Sequence, residues 1–196
     1  MKKSKSAIGA WCIRIAVLAV LTILAYLILS ERFRNSRPLF IDDTLYAEEI
    51  AYAAKKYQLP PELIRALIRR ESGFDKNAVG GAGEIGLMQI LPQGAVAEWA
   101  RIKKCPMPSK RELFDIKTNL DIGCWYLARA AGYWKNYRCY RELALAEYNA
   151  GRKNAERWKP RTTNGDVIKK IDFPATRKYV SEIMDHYRKY LLNKKQ

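Results

Sequence analysis

The chain has 196 residues, 48% of them hydrophobic, which is enough for one compact domain and an additional segment. Its 36 Lys and Arg against 20 Asp and Glu give a formal net charge of +16, which favours an anionic partner such as nucleic acid, a membrane surface or an acidic polymer. His186 is the single histidine and no C-x-x-C or Cys/His cluster occurs, which excludes the usual histidine-based metal sites and the Ser-His and Cys-His catalytic pairs.

Residues 1–30 predict a cytoplasmic tail and a membrane anchor. Three lysines precede an apolar stretch from about Ile8 to Leu29, which is long enough to cross a bilayer as a helix. A cleavable signal peptide is the alternative, but its apolar region is usually about 7–15 residues long and ends in a small-x-small site, which does not follow here. The positive-inside rule keeps the lysines in the cytoplasm. The rest of the chain is therefore expected to be exported, and nucleic acid is not an expected partner.

Beyond a charged linker at residues 31–43, the sequence predicts a mainly α domain at 44–196. The glycine-rich segment FDKNAVGGAGEIG is predicted to be a loop within it. No alternating apolar and polar run lies between hairpin turns, so a β-sheet is not expected. Helical periodicity and capping signals predict helices at 44–57, 61–72, 94–100, 117–133, 140–150 and 176–192.

Glu71 lies at the end of the helix predicted at 61–72. Leu67 and Ile68 precede it by four and three residues, so the glutamate falls on the apolar face, and Gly73 is typical of a helix terminus. Burial and the negative end of the helix dipole both raise the pKa of a carboxyl group, and a carboxyl that stays protonated near neutral pH can act as a general acid. For this stretch alone, a glutamate that turns to solvent or pairs with a neighbouring arginine is the simpler interpretation.

Three further segments are candidates for a site: GGAGEIGLMQI, LALAEYNAG and FPATRKYVSEI. Each alone is compatible with a connector or an ordinary helix end. Taken in order with ESGF at 71–74 and LFDIKTNLDIGCWYLARA at 113–130, they resemble the catalytic domain of the soluble-lytic-transglycosylase type, a family of peptidoglycan-cleaving enzymes with a lysozyme-like fold. The resemblance covers about residues 45–192.

The resemblance implies that Glu71 is the single catalytic acid/base. It would protonate the oxygen of the β-1,4 bond between N-acetylmuramic acid and N-acetylglucosamine, and then take the proton of the muramic C6 hydroxyl as a 1,6-anhydro ring closes. No second carboxylate is needed, unlike in most glycosidases, which use two. The resemblance implies no metal and no cofactor.

The family motifs also imply residues that bind the glycan strand of peptidoglycan. Gln89 and Met88, from G-L-M-Q, and Leu91 just after would line the saccharide groove. Tyr148 and Asn149, from the motif matching A-Y-N-A-G, would face the acid across the cleft and hold the reacting sugar. The expected location is the cytoplasmic membrane, crossed once, with the catalytic domain facing the periplasm and the cell wall.

The chain departs from the family pattern at several positions, which affects the expected detail of the subsites. Two other functions therefore stay open. One is a hydrolytic muramidase of the goose-lysozyme type, which would usually need an additional carboxylate across the cleft. The other is a non-catalytic module that binds peptidoglycan within an envelope machine. The departures are Gly80, where the family commonly has a substrate-contacting serine; Glu84 and Ile85, where it commonly has small residues; Glu147, where it commonly has alanine; Ala175, where it commonly has glutamate; and Lys169, where the residue is often acidic. Glu84 and Glu147 are also the candidates for the second carboxylate of a muramidase.

Three cysteines, Cys105, Cys124 and Cys139, lie in the part of the chain that is expected to be exported. An oxidising compartment permits one disulfide and one free thiol among them, and the sequence does not indicate which two would pair.

Overall fold

The structure of the chain, a computed structural model, describes residues 41–194. The predicted anchor at 1–30 and the linker up to residue 40 lie outside the described residues. Among residues 41–194, no helix combines the length and apolarity needed to cross a membrane. The helices in this part are α1 Ala47–Tyr57, α2 Pro61–Glu71, α3 Ala97–Lys103, α4 Ile116–Trp134, α5 Tyr140–Ala150, α6 Arg152–Trp158 and α7 Pro174–Asn193.

The prediction of a mainly α domain is confirmed. A π-helical turn at Pro92–Val96 leads directly into α3, and single 3₁₀ turns lie at Glu112–Phe114 and Ile168–Lys170. The last helix begins at Pro174, two residues earlier than predicted, since the fixed φ of proline suits the first helical position. Helix α6 was not predicted, because Gly151 reads as a helix stop. Gly151 has a φ of 81°, and this single residue is both the C-cap of α5 and the N-cap of α6.

Helix α4 is the centre of the hydrophobic core. It packs against α1 on one side and α5 on the other. Its side chains Leu120, Leu127 and Trp134 are each no more than 1% exposed, and burial of one such side chain contributes about 2 kcal/mol to the free energy of unfolding. The amphipathic pattern of the sequence is thus satisfied by a core that surrounds one long helix.

Helix α2 packs along α7, and this contact places the end of α2 beside the N-terminal half of α7. Leu67 and Ile68 of α2 and Val180 and Ile183 of α7 are all fully buried. The segment before α1 is held on the same two helices, because Asp43 accepts hydrogen bonds from Arg69 at 3.1 Å and from the Tyr190 hydroxyl at 2.6 Å. This helix pairing brings together Glu71 and Tyr179, which lie 108 positions apart in the sequence.

The three cysteines in the described residues are free thiols. Cys124 is completely buried in α4, with its sulfur 3.8 Å from the Met88 sulfur, and burial raises the pKa of its thiol. The disulfide that the sequence left open is therefore not formed between any of Cys105, Cys124 and Cys139.

Candidate active site

A cleft of about 320 Å³ contains five of the six site residues predicted from the sequence. It is bounded by the end of α2, the glycine-rich loop, the π-helical turn before α3, and parts of α4 and α5. The predicted residues that line it are Glu71, Gln89, Leu91, Tyr148 and Asn149, and the others are Gly80, Gly81, Glu84, Ile90, Gly94, Ala95 and Tyr126.

Glu71 is the last residue of α2, and it is partly exposed at the cleft. The end of the helix is fixed by Ser72, whose hydroxyl donates a hydrogen bond to the Leu87 carbonyl at 2.9 Å. Gly73 then turns the chain with a φ of +62°, a conformation that favours glycine. The E-S-G stretch therefore ends the helix, ties it to the glycine-rich loop and leaves the carboxylate at the cleft.

Tyr179 of α7 holds the Glu71 carboxylate. Its hydroxyl donates a hydrogen bond to Oε1 of Glu71 at 2.5 Å, and its side chain is 2% exposed. Burial, and next the negative charge of Glu71, raise the pKa of the Tyr179 phenol well above its usual value, so it stays protonated and remains a donor. Sequence reasoning did not select Tyr179, although it lies in the recognised segment ATRKYV, because a tyrosine inside a helix shows no sign of its partner.

Tyr148 lies beside Glu71 with its hydroxyl donating to the Met88 carbonyl at 2.8 Å. Burial, and then the charge of Glu71, raise the pKa of this phenol well above its usual value. Its ring packs edge-on against Tyr126, with ring centroids 5.5 Å apart. Tyr126 also lines the cleft and was not predicted; its position in the segment CWYLARA was the available signal.

Asn149 is oriented by α7. Its Oδ1 accepts a hydrogen bond from the Thr176 hydroxyl at 2.8 Å, and its side chain is exposed at the cleft. Thr176 fixes the orientation of the amide, and the amide nitrogen can then donate hydrogen bonds to a ligand in the cleft. Thr176 lies in the first turn of α7, and its hydroxyl bonds to Asn149 of α5 and does not cap its own helix.

Met88 does not line the cleft, in contrast to the expectation from the motif. Its side chain is 0% exposed and packs against α4, where a Cβ atom on Gly123 would lie 2.4 Å from the Met88 sulfur. Glycine at position 123 therefore makes room for the thioether. What Met88 presents toward the site is its backbone carbonyl, which accepts the Tyr148 hydrogen bond.

The glycine-rich loop is attached to α4 by one buried side chain, Asn119, which is 1% exposed. Its amide nitrogen donates to the carbonyls of Ile85 and Leu113 at 2.9 and 2.8 Å, and its oxygen accepts from the Met88 N–H at 2.9 Å. A Cβ atom on Gly86 would lie 2.3 Å from this amide, which explains the glycine there. Asn119 was within the recognised motif, but its role depends on the folded loop.

Gln89 follows in the left-handed conformation, with φ of +45°. Its side-chain nitrogen donates to the carbonyls of Ala78 and Gly86 at 3.2 and 2.9 Å. Both amide hydrogens are thereby used within the loop, and the Gln89 side chain is fixed with its oxygen toward Gly80.

The two candidate second carboxylates lie in different environments. Glu147 is 1% exposed and accepts hydrogen bonds from Trp134 at 2.8 Å and from two nitrogens of Arg152 at 2.8 and 3.0 Å. It joins α4, α5 and α6 and does not line the cleft. Glu84 lines the cleft, whereas Ala175 and Lys169 are exposed and do not line it.

A second cavity, of about 740 Å³, lies between α1, the start of α4 and α3. It contains Tyr52, Trp99 and Asp121, but none of the predicted site residues. Within residues 41–194, no three His, Cys, Asp or Glu side chains come close enough together to hold a metal ion.

Comparison with known proteins identifies relatives of this fold and these motifs. The family model of the transglycosylase SLT domain matches residues 48–171, more than half of the chain. Membrane-bound lytic murein transglycosylase E of Buchnera aphidicola is 34% identical over 133 residues, which cover 61% of this chain and 59% of the relative. Membrane-bound lytic murein transglycosylase C of Yersinia enterocolitica is 32% identical over 111 residues, which cover 54% of this chain and 31% of the relative.

Two solved structures share the fold with a TM-score of 0.64 each. They are an inactive mutant of the lytic transglycosylase Slt of Pseudomonas aeruginosa, 29% identical, and the 70 kDa soluble lytic transglycosylase of Escherichia coli, 25% identical. The matched regions cover 74% and 76% of this chain but 23% and 25% of those chains. The chain spans less than two thirds of the length of these relatives, curated and solved. The mainly α, lysozyme-like fold implied by the resemblance is confirmed, and the chain belongs to the transglycosylase SLT domain family.

Proposed function

We propose that the chain is a peptidoglycan lytic transglycosylase, with Glu71 as its single acid/base. The observation that carries the proposal is a glutamate at a helix end, bonded to a buried tyrosine, inside a cleft that also contains Gln89, Tyr148 and Asn149. The names of the relatives, lytic murein transglycosylases, support the same reaction and substrate.

The reaction needs one proton donor that later becomes the acceptor. Protonated Glu71 gives its proton to the glycosidic oxygen, the bond from that oxygen to C1 of the muramic residue breaks, and positive charge develops at C1. The C6 oxygen of the same sugar bonds to C1, and its proton passes to the Glu71 carboxylate. The acid is regenerated, and the products are a free C4 hydroxyl and a 1,6-anhydro end.

The neighbours of Glu71 support this cycle. The hydrogen bond from Tyr179 stabilises the carboxylate that exists between the two proton transfers. Asn149, whose oxygen is held by Thr176, offers its amide nitrogen to the acetamido or hydroxyl oxygens of the reacting sugar. The Tyr148 ring and Leu91 provide apolar surface in the cleft against which a sugar ring can pack.

We further propose that residues 1–30 anchor the enzyme in the cytoplasmic membrane and that the catalytic domain faces the periplasm and the cell wall. The apolar stretch from Ile8 to Leu29 supports the anchor, as do the relatives that are named membrane-bound. A net positive charge also suits an anionic wall polymer.

Mass spectrometry of digested sacculi tests the reaction. The proposal predicts muropeptides with 1,6-anhydro ends. Hydrated reducing ends would instead identify a hydrolytic muramidase, for which Glu84 is the carboxylate present in the cleft. Binding of the wild-type protein to sacculi without release of muropeptides would identify a non-catalytic peptidoglycan-binding module.

A further inference from the structure

The Glu84 carboxylate lies directly beside the backbone of Gly80 in the cleft. A Cβ atom on Gly80 would lie 2.3 Å from Oε2 of Glu84, well inside van der Waals contact. The backbone at Gly80 does not have a positive φ, so conformation alone does not require glycine there. The space that a side chain at position 80 would fill is therefore taken by the carboxylate of Glu84.

The Glu84 carboxylate is held at this place by the loop itself. Its Oε2 accepts a hydrogen bond from the Ala82 N–H at 3.0 Å, and its backbone carbonyl accepts one from the Gly80 N–H at 2.9 Å. The side chain is partly buried and lines the same cleft as Glu71. An ionised carboxylate has about four lone-pair sites, so it can accept further hydrogen bonds from a ligand.

A second acceptor faces the same point. The Cβ position of Gly80 lies 2.8 Å from Oε1 of Gln89, whose two amide hydrogens already go to the carbonyls of Ala78 and Gly86. A carboxylate oxygen and an amide oxygen thus lie close together beside Gly80, and both residues line the cleft. Such a pair is complementary to a hydrogen-bond donor, either a hydroxyl or an amide N–H, and glycan strands carry both.

We propose that Glu84 is a substrate-binding residue that accepts a hydrogen bond from a hydroxyl or acetamido N–H of the glycan, and that Gly80 is small in order to admit it. In this arrangement the polar group beside Gly80 in the cleft is supplied by position 84. This assignment rests on the proposed glycan-cleaving function of the cleft. It does not assign Glu84 a proton-transfer step.

Binding in a catalytically silent background tests the proposal separately from the proposed reaction. The probe is a tetrasaccharide of alternating N-acetylglucosamine and N-acetylmuramic acid, and its Kd is measured by calorimetry with the Glu71→Gln variant. Adding Glu84→Ala should raise the Kd about tenfold, the effect of losing a hydrogen bond to a charged group, and Glu84→Gln should fall between the two. Adding Asp185→Ala instead, which removes an exposed carboxylate of α7, should leave the Kd unchanged.

The pairing of the two positions is tested by a double-variant cycle in the same background. Gly80→Ser should weaken binding, because its Cβ atom displaces the Glu84 carboxylate. In Gly80→Ser combined with Glu84→Ala, the clash with the carboxylate is gone, although the added Cβ atom still lies 2.8 Å from Oε1 of Gln89. Because both single changes remove the same carboxylate from the cleft, the Kd of the double variant should stay within about threefold of that of Glu84→Ala alone, so that the two changes do not add.

A Kd that stays within twofold after Glu84→Ala would overturn the proposal. So would an unchanged Kd together with a fall in kcat and hydrated reducing ends in the Glu71-containing enzyme, because Glu84 would then act on water. Thermal unfolding of each variant separates loss of fold from loss of binding. If the wild-type enzyme releases no muropeptides but the Kd changes appear, the proposed reaction fails while the role of Glu84 in binding stands.

Discussion

At the scale of single residues, the site depends on hydrogen bonds that orient its side chains. Tyr179 bonds to Glu71, Thr176 bonds to Asn149, and the Met88 backbone carbonyl accepts from Tyr148. In each pair the two members lie in different recognised segments that the fold brings together. The chemistry assigned to Glu71 and Asn149 therefore depends on helix α7, which carries both holding residues.

Tyr179→Phe tests the most direct of these contacts. The phenylalanine keeps the packing of the ring but removes the hydroxyl that stabilises the Glu71 carboxylate, so cleavage of sacculi should slow by about tenfold. The pH above which activity falls should also move upward, because the ionised carboxylate has lost its donor. Rates of anhydro-muropeptide release across a pH series measure both effects, and Tyr187→Phe, at another buried tyrosine of α7, is the matched control. An unchanged rate and pH profile would show that the 2.5 Å contact has no part in the reaction.

The residues that sequence reasoning located are those that a contiguous motif specifies. Glu71, Gln89, Tyr148 and Asn149 belong to such motifs, and all four line the cleft. Met88 could not be placed in this way, because the direction of a side chain in a glycine-rich loop depends on a backbone that does not follow helical or strand periodicity.

At the scale of elements, the glycine-rich loop is the part that shapes the cleft, and it has little regular structure of its own. Isolated antiparallel bridges join Ile85 to Val79 and to Ile90, and Asn119 of α4 binds the Met88 N–H and the Ile85 carbonyl. Helix periodicity predicted α4 but gave no sign that one of its buried positions would serve a loop.

Asn119→Ala should destabilise the domain and lower its activity. The change removes the side-chain partner of the Met88 N–H and of the Leu113 carbonyl in the protein interior, and it removes one of the two donors to the Ile85 carbonyl, which keeps the Ile90 N–H. We expect a loss of about 3 kcal/mol in the free energy of unfolding, within the range for buried polar groups left unsatisfied. Urea unfolding measures the loss, and Lys117→Ala, at an exposed position two residues earlier, is the control. A change below about 0.5 kcal/mol would contradict the anchoring role of Asn119.

At the scale of the whole molecule, we propose that the chain combines a basic catalytic domain with a membrane anchor at residues 1–30. Helices α2, α4, α5 and α7 each contribute to the core and carry residues that line or support the cleft. The sequence predicted this α domain because its helices have strong apolar periodicity. It did not predict α6, since a glycine that ends one helix and immediately begins the next looks the same as a simple stop.

Removal of residues 1–30 should release the protein from membranes without loss of the catalytic domain. The full chain should sediment with membranes and resist extraction by high salt, because the apolar helix and not the net charge would hold it there. The truncated chain should remain in the supernatant and still digest sacculi. Extraction of the full chain by 1 M salt alone would contradict a spanning anchor and indicate electrostatic binding to the membrane surface.

The central claim is that Glu71 is the acid/base that forms 1,6-anhydro ends. The most direct measurement is the rate at which Glu71→Gln releases anhydro-muropeptides from purified sacculi, followed by mass spectrometry, with Asp185→Asn as the matched control. The amide keeps the shape of the side chain but cannot donate and retake the proton, so the rate should fall by at least about 100-fold, while the control retains the wild-type rate. Release of anhydro-muropeptides by Glu71→Gln at the wild-type rate would contradict the account.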